Sequence, residues 1–176
     1  VQWNFYGHPP PDANKPKGGW EEKVWPEYMQ SLLRGFKGHK NYNIHFALPP
    51  DTYGRYYAGM DVAIAPLQMN NFNDSKSDIK VAECSRYKIP LVASNVGCYD
   101  ETIINGETGY LIDPDAPKSE WHKILSKLCK DKNHRIEMGQ NLHDRTKDLY
   151  DGRKQSQHRY DLYMRAMQDL GHKLDD

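Results

Sequence analysis

Residues 70–94, NNFNDSKSDIKVAECSRYKIPLVAS, read as a loop, a short helix and a buried strand, and they decide the fold. Just upstream, Met60–Leu67 (MDVAIAPL) is a continuous apolar run ending at a proline, the pattern of a strand covered on both faces. A polar loop, Gln68–Asp74, leaves its end, and Asp74 or Ser75 serves as helix N-cap. The helix is expected to run through Ile79, Ala82 and Glu83 to Lys88, where Pro90 turns the chain into the strand Leu91–Ser94. Strand, loop, helix and strand make a βαβ unit. Its loop and helix N-terminus lie at the carboxyl edge of a parallel sheet, where unpaired N–H groups and the positive end of the helix dipole favour a phosphate.

The chain has 176 residues, enough for one domain with its own core. Lys+Arg and Asp+Glu both number 24, and this balance argues against a nucleic-acid partner, which needs a basic excess. The three cysteines, Cys84, Cys98 and Cys129, have no metal-site spacing. They read as reduced thiols of a cytoplasmic protein. No apolar run approaches the ~18 residues of a membrane span, and no signal peptide opens the sequence. Asn73-Asp74-Ser75 fits the glycosylation pattern, but in a βα loop of a cytoplasmic protein the match is chance.

In chain order, Val1–Tyr6 starts abruptly as a strand, as if cut from something longer. Gly7–Gly19 is a Pro- and Gly-rich loop, and Glu21–Phe36 a helix whose firm part begins at Pro26. Tyr42–Leu48 is the second strand, and Asp51–Ala58 a short helix capped by Asp51 or Thr52. After the central unit come a loop (Asn95–Asp100), one helical turn (Glu101–Ile104), the turn Asn105-Gly106 and the strand Gly109–Ile112. Ser119 caps a helix to Lys130 with Trp121, Ile124, Leu125 and Leu128 on its buried side. Asn133–Tyr150 is a helix carrying Ile136, Met138, Leu142 and Leu149. Gly152–Leu170 is another, with Tyr160, Tyr163, Met164 and Met167 as its apolar stripe. The β/α alternation up to Ile112 predicts a doubly wound parallel sheet, with the helices of residues 119–176 as a C-terminal extension.

The segment Asn73–Ile112, NDSKSDIKVAECSRYKIPLVASNVGCYDETIINGETGYLI, resembles the donor-binding part of GT-B retaining glycosyltransferases of the family 4 type. That family includes many O-antigen and capsule enzymes of polysaccharide biosynthesis. Its pattern is E-x7-E at a helix start, a small-residue turn, "PVVAS" and a later "E.I.nG.tG.Lv". Here Glu83 takes the place of the second glutamate, which in the family binds the ribose hydroxyls of a nucleotide sugar. Ser75 stands where the first would be, a departure. A subgroup with N-x-S-K-S-x-x-K-x-x-E fits better, with Lys76, Ser77 and Lys80 in place. The resemblance spans roughly Ile44–Tyr150; each motif alone is weak and their combination fairly specific.

A lone mid-helix glutamate is ordinarily solvated, and only the surrounding pattern makes Glu83 a ribose ligand; its carboxylate can accept from two vicinal hydroxyls. A lysine at a helix N-terminus opposes the dipole unless an anion binds there. Lys76 is therefore the candidate catalytic group, with Ser77 and the backbone of Asp78 and Ile79 contacting the diphosphate. Ser75 and Lys80 complete the donor-binding set, although Lys80 can equally lie along the helix surface. Asn70–Asp74 suit sugar hydroxyls and plain turn chemistry equally. Tyr53, Tyr56 and Tyr57 read as packing on the sheet, with one of them able to border the base. Gly97, Cys98, Tyr99 and Glu101 fall at the next strand's carboxyl edge. Asp113-Pro114-Asp115 looks like a D-x-D metal motif but reads as a turn, His8 is a weak cleft candidate, and the helical histidines form no i, i+4 pair.

The resemblance implies a Rossmann-like GT-B C-terminal domain over residues 1–176 that binds a UDP-, GDP- or ADP-type sugar. The implied reaction is glycosyl transfer with retention, with no metal or other cofactor. The acceptor, a glycan or lipid, would be held by an N-terminal domain absent from the sequence. The first strand and helix of the C-terminal domain would be absent as well, leaving the chain a poorly active fragment whose exposed strand edges favour self-association. A non-catalytic nucleotide-sugar or polysaccharide binding module is the alternative. A sugar-nucleotide epimerase of the same fold is a third reading.

Overall fold

Pro90 and Asn95 bracket the strand around which the larger part of the molecule is built. The computed structural model describes residues 2–7, 41–46, 48–49 and 51–170. The expected loop at residues 7–19, the expected helix at 21–36 and His8 fall outside the described residues, apart from Gly7. The chain divides into two units, Val1–Arg55 and Tyr56–Asp176.

In the first unit, β1 (Trp3–Gly7) and β2 (Tyr42–Phe46) pair in parallel, with Trp3 opposite Tyr42 and Gly7 opposite Phe46. The Asn4 carboxamide oxygen accepts from Asn43 Nδ2 (3.2 Å) and from His45 Nε2 (2.9 Å), a polar contact across the pair. The chain then turns at Pro49, whose carbonyl accepts from the amides of Thr52 and Tyr53, both at 2.9 Å. The segment Tyr53–Gly59 that follows is a 3-10 helix, so the expected short helix is present in its tighter form.

The second unit carries a parallel sheet in the order β3-β4-β5: Ala63–Ala65, Leu91–Ser94 and Gly109–Ile112. The central strand β4 is buried at all four positions. β3 is shorter than the run Met60–Leu67 implied, because Pro66 has no N–H with which to continue the ladder. The expectation that it is covered on both faces also fails, since Ile64 is 42% exposed.

The helix expected from Asp74 or Ser75 to Lys88 is split. Asn70, not Asp74 or Ser75, is the first N-cap, its side chain accepting from the Asn73 amide. It starts a single turn, α1 (Asn71–Asp74), which ends at Ser75. The chain restarts with Asp78 at the N-cap of α2 (Ile79–Arg86). The break follows from side chains that satisfy nearby backbone groups in place of helical ones. Asn73 Nδ2 donates to the Gln68 carbonyl (2.7 Å) and the Ser75 hydroxyl to that of Asn71 (2.7 Å).

α2 closes with a Schellman turn: Lys88 N–H donates to the Ser85 carbonyl (3.1 Å) and Ile89 N–H to that of Cys84 (3.0 Å). The turn requires a left-handed residue, and Lys88 supplies it at φ 56°. A Cβ in that region costs on the order of 1 kcal/mol. Lys88→Gly is therefore expected to raise stability by about 0.5–1 kcal/mol, read as an upward shift of the urea midpoint; an unchanged or lower midpoint would show that the turn is unstrained.

Beyond β4, α3 (Tyr99–Thr102) begins two residues before the expected Glu101. Gly106 forms the tight turn into β5 at φ 85°. α4 (Lys118–Lys130) has Pro117 rather than Ser119 at its N-cap. Its residues Ile124 and Leu128, one turn apart, enter a core with Val92, Ile112 and Met138, while Trp121 and Leu125 pack at its border. α5 (Lys132–Thr146) brings Met138 and Leu142 inward and lays Gly139 against the Lys88–Ile89 turn. At the far end of the same seam Thr146 Oγ1 lies 2.6 Å from Ser85 Oγ, and the His143 ring meets the Ser85 carbonyl at 3.1 Å. α5 ends before the expected Tyr150, and its Ile136 is exposed, as is Leu149 beyond it. α6 (Gly152–Asp169) is capped by Asp151 and buries no residue, so Tyr160, Tyr163 and Met167 of the expected stripe are exposed. No helix among the described residues is long and apolar enough to cross a membrane.

Candidate functional site

The loops leaving β3 and β4 are tied to each other. Leu67 N–H donates to Ser94 Oγ (2.9 Å), joining the two strand exits. Further out, Gly97 N–H donates to the Asp74 carboxylate (3.3 Å) and the Cys98 thiol to the Lys76 carbonyl (3.5 Å). Gly97 is left-handed at φ 64°, and a Cβ there would meet the carbonyl oxygens of Asp74 and Lys76 at 3.2 and 3.3 Å. Only glycine combines that backbone conformation with so close an approach.

Between these loops and α2 run most of the residues expected to hold a donor. Ser75 closes α1, its hydroxyl bonded to the Asn71 carbonyl. Lys76 and Ser77 are exposed and precede α2 instead of forming its first turn, which corrects the expected helix start. The Lys76 ammonium sits 4.7 Å from the centre of the exposed Phe72 ring. The Asp78 carboxylate makes no capping bond to α2 and accepts the Tyr150 hydroxyl instead. Burial, and then the bond to Asp78, raise the Tyr150 hydroxyl above its ordinary pKa. Burial and the Asp78 charge raise the Cys98 thiol too. Ile79 is exposed, and by helix geometry its amide and that of Lys80 have no partner within α2.

One turn into α2 the geometry tightens. Lys80 Nζ lies 2.8 Å from Glu83 Oε2, an i, i+3 pair in which the lysine side chain is half exposed and the glutamate only 12% exposed. The Tyr57 hydroxyl donates to the same Oε2 at 2.5 Å and lies 3.2 Å from Lys80 Nζ. Tyr57 is buried and stacks on Tyr87, with centroids 5.8 Å apart and planes 17° apart. Beside them the buried Cys84 thiol is pushed up to about 12 by burial and by the Glu83 charge, with Lys80 opposing. The result is an almost buried, paired carboxylate one turn into a helix, able to accept strong hydrogen bonds from neutral donors.

Of the expected residues, Lys80 and Glu83 are brought together. Lys76 lies apart from that pair, against Phe72, and Asp78 is joined to Tyr150. Tyr57 joins the cluster from 26 residues away, a contact that residue spacing did not single out. Asn70 and Asn73 are engaged in local turn bonds, and Asp74 accepts from Gly97 across the two loops. Asp113 Oδ1 accepts from the Asp115 amide at 2.8 Å, the geometry of a turn. Among the described residues no group of three His, Cys, Asp or Glu side chains is placed to hold a metal ion.

The profile of the family glycosyl transferases group 1 matches residues 18–145. The chain belongs to that family. Its fold is that of the GT-B glycosyltransferases. A D-inositol 3-phosphate glycosyltransferase of Corynebacterium kroppenstedtii is 29% identical over 119 residues, 68% of this chain and 25% of that protein. Its counterpart in Corynebacterium glutamicum is 31% identical over 100 residues, 56% of this chain and 22% of that one. The chain thus spans a quarter or less of the length of these curated relatives. Among solved structures, sucrose-phosphate synthase from Thermosynechococcus elongatus superposes with a TM-score of 0.74 at 17% identity, covering 96% of this chain and 39% of that one. The C-terminal domain of a group 1 glycosyl transferase from Francisella tularensis gives 0.57 at 19% identity over 75% of this chain and 65% of its own. Anabaena HepE, solved with UDP and glucose, gives 0.60 at 14% identity over 82% and 35%.

Proposed function

We propose that this group 1 glycosyltransferase chain binds the donor, a nucleoside-diphosphate sugar, for transfer of the sugar with retention of anomeric configuration. The observation that carries the reading is Glu83, an almost buried carboxylate one turn into α2, the helix that follows the carboxyl end of β3. In the proposal Glu83 takes the ribose hydroxyls. The α2 amides, Lys76, Ser77 and Lys80 take the diphosphate, and Ser75 borders the sugar. Their role is electrostatic: charge grows on the diphosphate as the glycosidic bond breaks, and fixed donors stabilise it more in the transition state than in the bound donor. That structures of similar fold have been solved with UDP or UDP-glucose supports the reading. The acceptor, a glycan or lipid, is assigned to parts of the protein outside these residues.

Calorimetric titration with UDP-, GDP- and ADP-sugars tests it, with one of the three expected to bind and the others to bind more weakly. Lys76→Ala is expected to weaken that binding by about 1–3 kcal/mol, the range for a hydrogen bond to a charged group. No binding of any donor would sink the reading, and unchanged affinity in Lys76→Ala would remove Lys76 from it.

A second reading, binding without transfer, has one observation in its favour. Ser75 stands in the position of the family's first glutamate, and its hydroxyl is already committed to the Asn71 carbonyl at 2.7 Å. Donor binding without sugar transfer or donor hydrolysis, followed with labelled sugar in the longest available form of the protein, would decide for it.

A further inference from the structure

Tyr57 reaches Glu83 from a 3-10 helix that precedes β3, and the resemblance to the family assigns it no role. We propose that Tyr57 is a positioning residue: its hydroxyl fixes the Glu83 carboxylate in the orientation that receives the ribose hydroxyls of the donor. The inference rests on the donor-binding reading given above.

A glutamate side chain has three rotatable bonds, and an unrestrained one would have to be ordered at the moment of binding. Here two donors converge on one oxygen, Oε2: the Tyr57 phenol at 2.5 Å and the Lys80 ammonium at 2.8 Å. The two are unequal as restraints. The lysine side chain is half exposed and flexible, whereas Tyr57 is 7% exposed and held by its stack on Tyr87. The phenol distance is that of a charge-assisted O–H to carboxylate bond, the shorter and stronger kind. A neutral donor also leaves the negative charge of the carboxylate in place, which is what a sugar hydroxyl binds best. Tyr57 thus supplies rigidity and Lys80 supplies charge balance.

Tyr57→Phe keeps the ring and its stack and removes only the hydroxyl. The test is calorimetric titration of the full chain with UDP, GDP and ADP and with the 2′-deoxy form of each. The expected result is that the preference for the ribonucleotide shrinks about three- to tenfold, with 2′-deoxynucleotide affinity falling much less than ribonucleotide affinity. In a Glu83→Gln background Tyr57→Phe is expected to change the preference no further, because the two residues act as a unit. An unchanged preference in the single variant would overturn the inference and leave the donor-binding reading standing. So would equal losses for both nucleotide forms, which would mark Tyr57 as a purely structural residue. Failure of the unaltered chain to bind any of the three nucleotides would overturn the donor-binding reading and this inference with it.

Discussion

Gly139→Ala is expected to cost on the order of 3 kcal/mol of stability. Gly139 sits in mid-helix, where alanine would ordinarily be preferred by about 1 kcal/mol. A Cβ built there would lie 2.0 Å from the Lys88 carbonyl oxygen, 2.6 Å from its carbon and 3.2 Å from the Ile89 nitrogen. All three are backbone atoms of the Schellman turn, so no rotamer change relieves the overlap. α5 has to retreat from the turn by an ångström or more, and Met138 and Leu142, both buried, move with it. The lost packing outweighs the gain in helix propensity. With one kcal/mol shifting the midpoint of a chain of this size by about 2–4 °C, melting should fall by about 6–12 °C. Gly152→Ala provides the contrast, since a Cβ there meets nothing within 4 Å. Its midpoint should stay the same or rise. A midpoint for Gly139→Ala within a degree or two of the unaltered chain would mean that α5 does not bear on the turn as described.

The same residue shows where sequence reading stopped. A glycine inside a helical pattern carries a cost that invites an explanation, and close backbone approach is a common one. That signal was present in Met138-Gly139-Gln140, but the partner surface, the exit from α2, was not visible from periodicity. Strands fared better: Leu91–Ser94 and Gly109–Ile112 were legible to the residue, because punctuating residues such as Pro90 and the Asn105-Gly106 turn bound short apolar runs. The parallel pairing implied by the β/α alternation is found within each unit, the first two strands together and the next three in order. The helix around Ser75 was misread for a physical reason. Asn70, Asn73, Asp74 and Ser75 can each cap or bend a chain, and the outcome depends on which nearby backbone group each one finds first. The stripe on α6 was correctly read as a helix face, yet a pattern of apolar residues does not say what covers it.

In the candidate site the sequence pointed to Glu83 and Lys80 because both fall on one local motif, N-x-S-K-S-x-x-K-x-x-E. It gave no reason to single out Tyr57, whose contact with Glu83 spans 26 residues and depends on how a 3-10 turn aims a side chain. It also placed Asp78 among the anion-binding backbone groups without revealing that its carboxylate is held by Tyr150.

Glu83→Gln is the substitution expected to weaken ligand binding most. The proposed role of Glu83 needs two properties that glutamine lacks together: a full negative charge and two acceptor oxygens. An amide of the same size offers one acceptor and one donor group. Near Tyr57 and Lys80, both donors to Oε2, the amide oxygen is drawn toward them and its NH2 is left facing the ribose. Two charge-assisted bonds from vicinal hydroxyls then become one neutral bond of the opposite sense. The expected loss is about 2–3 kcal/mol, or about 30- to 150-fold in Kd for the ribonucleotide. A 2′-deoxy analogue brings one hydroxyl fewer to the carboxylate and should lose only about 1 kcal/mol. The difference between these losses, not either alone, carries the meaning. The substitution also releases Lys80 from its counter-charge, which adds positive charge near the diphosphate and strengthens both ligands alike. That change cancels in the comparison. If ribo- and 2′-deoxynucleotides lose affinity equally, Glu83 acts by holding Tyr57 and α2 together and the ribose assignment falls. If the losses separate as expected, the carboxylate is in contact with the sugar of the nucleotide.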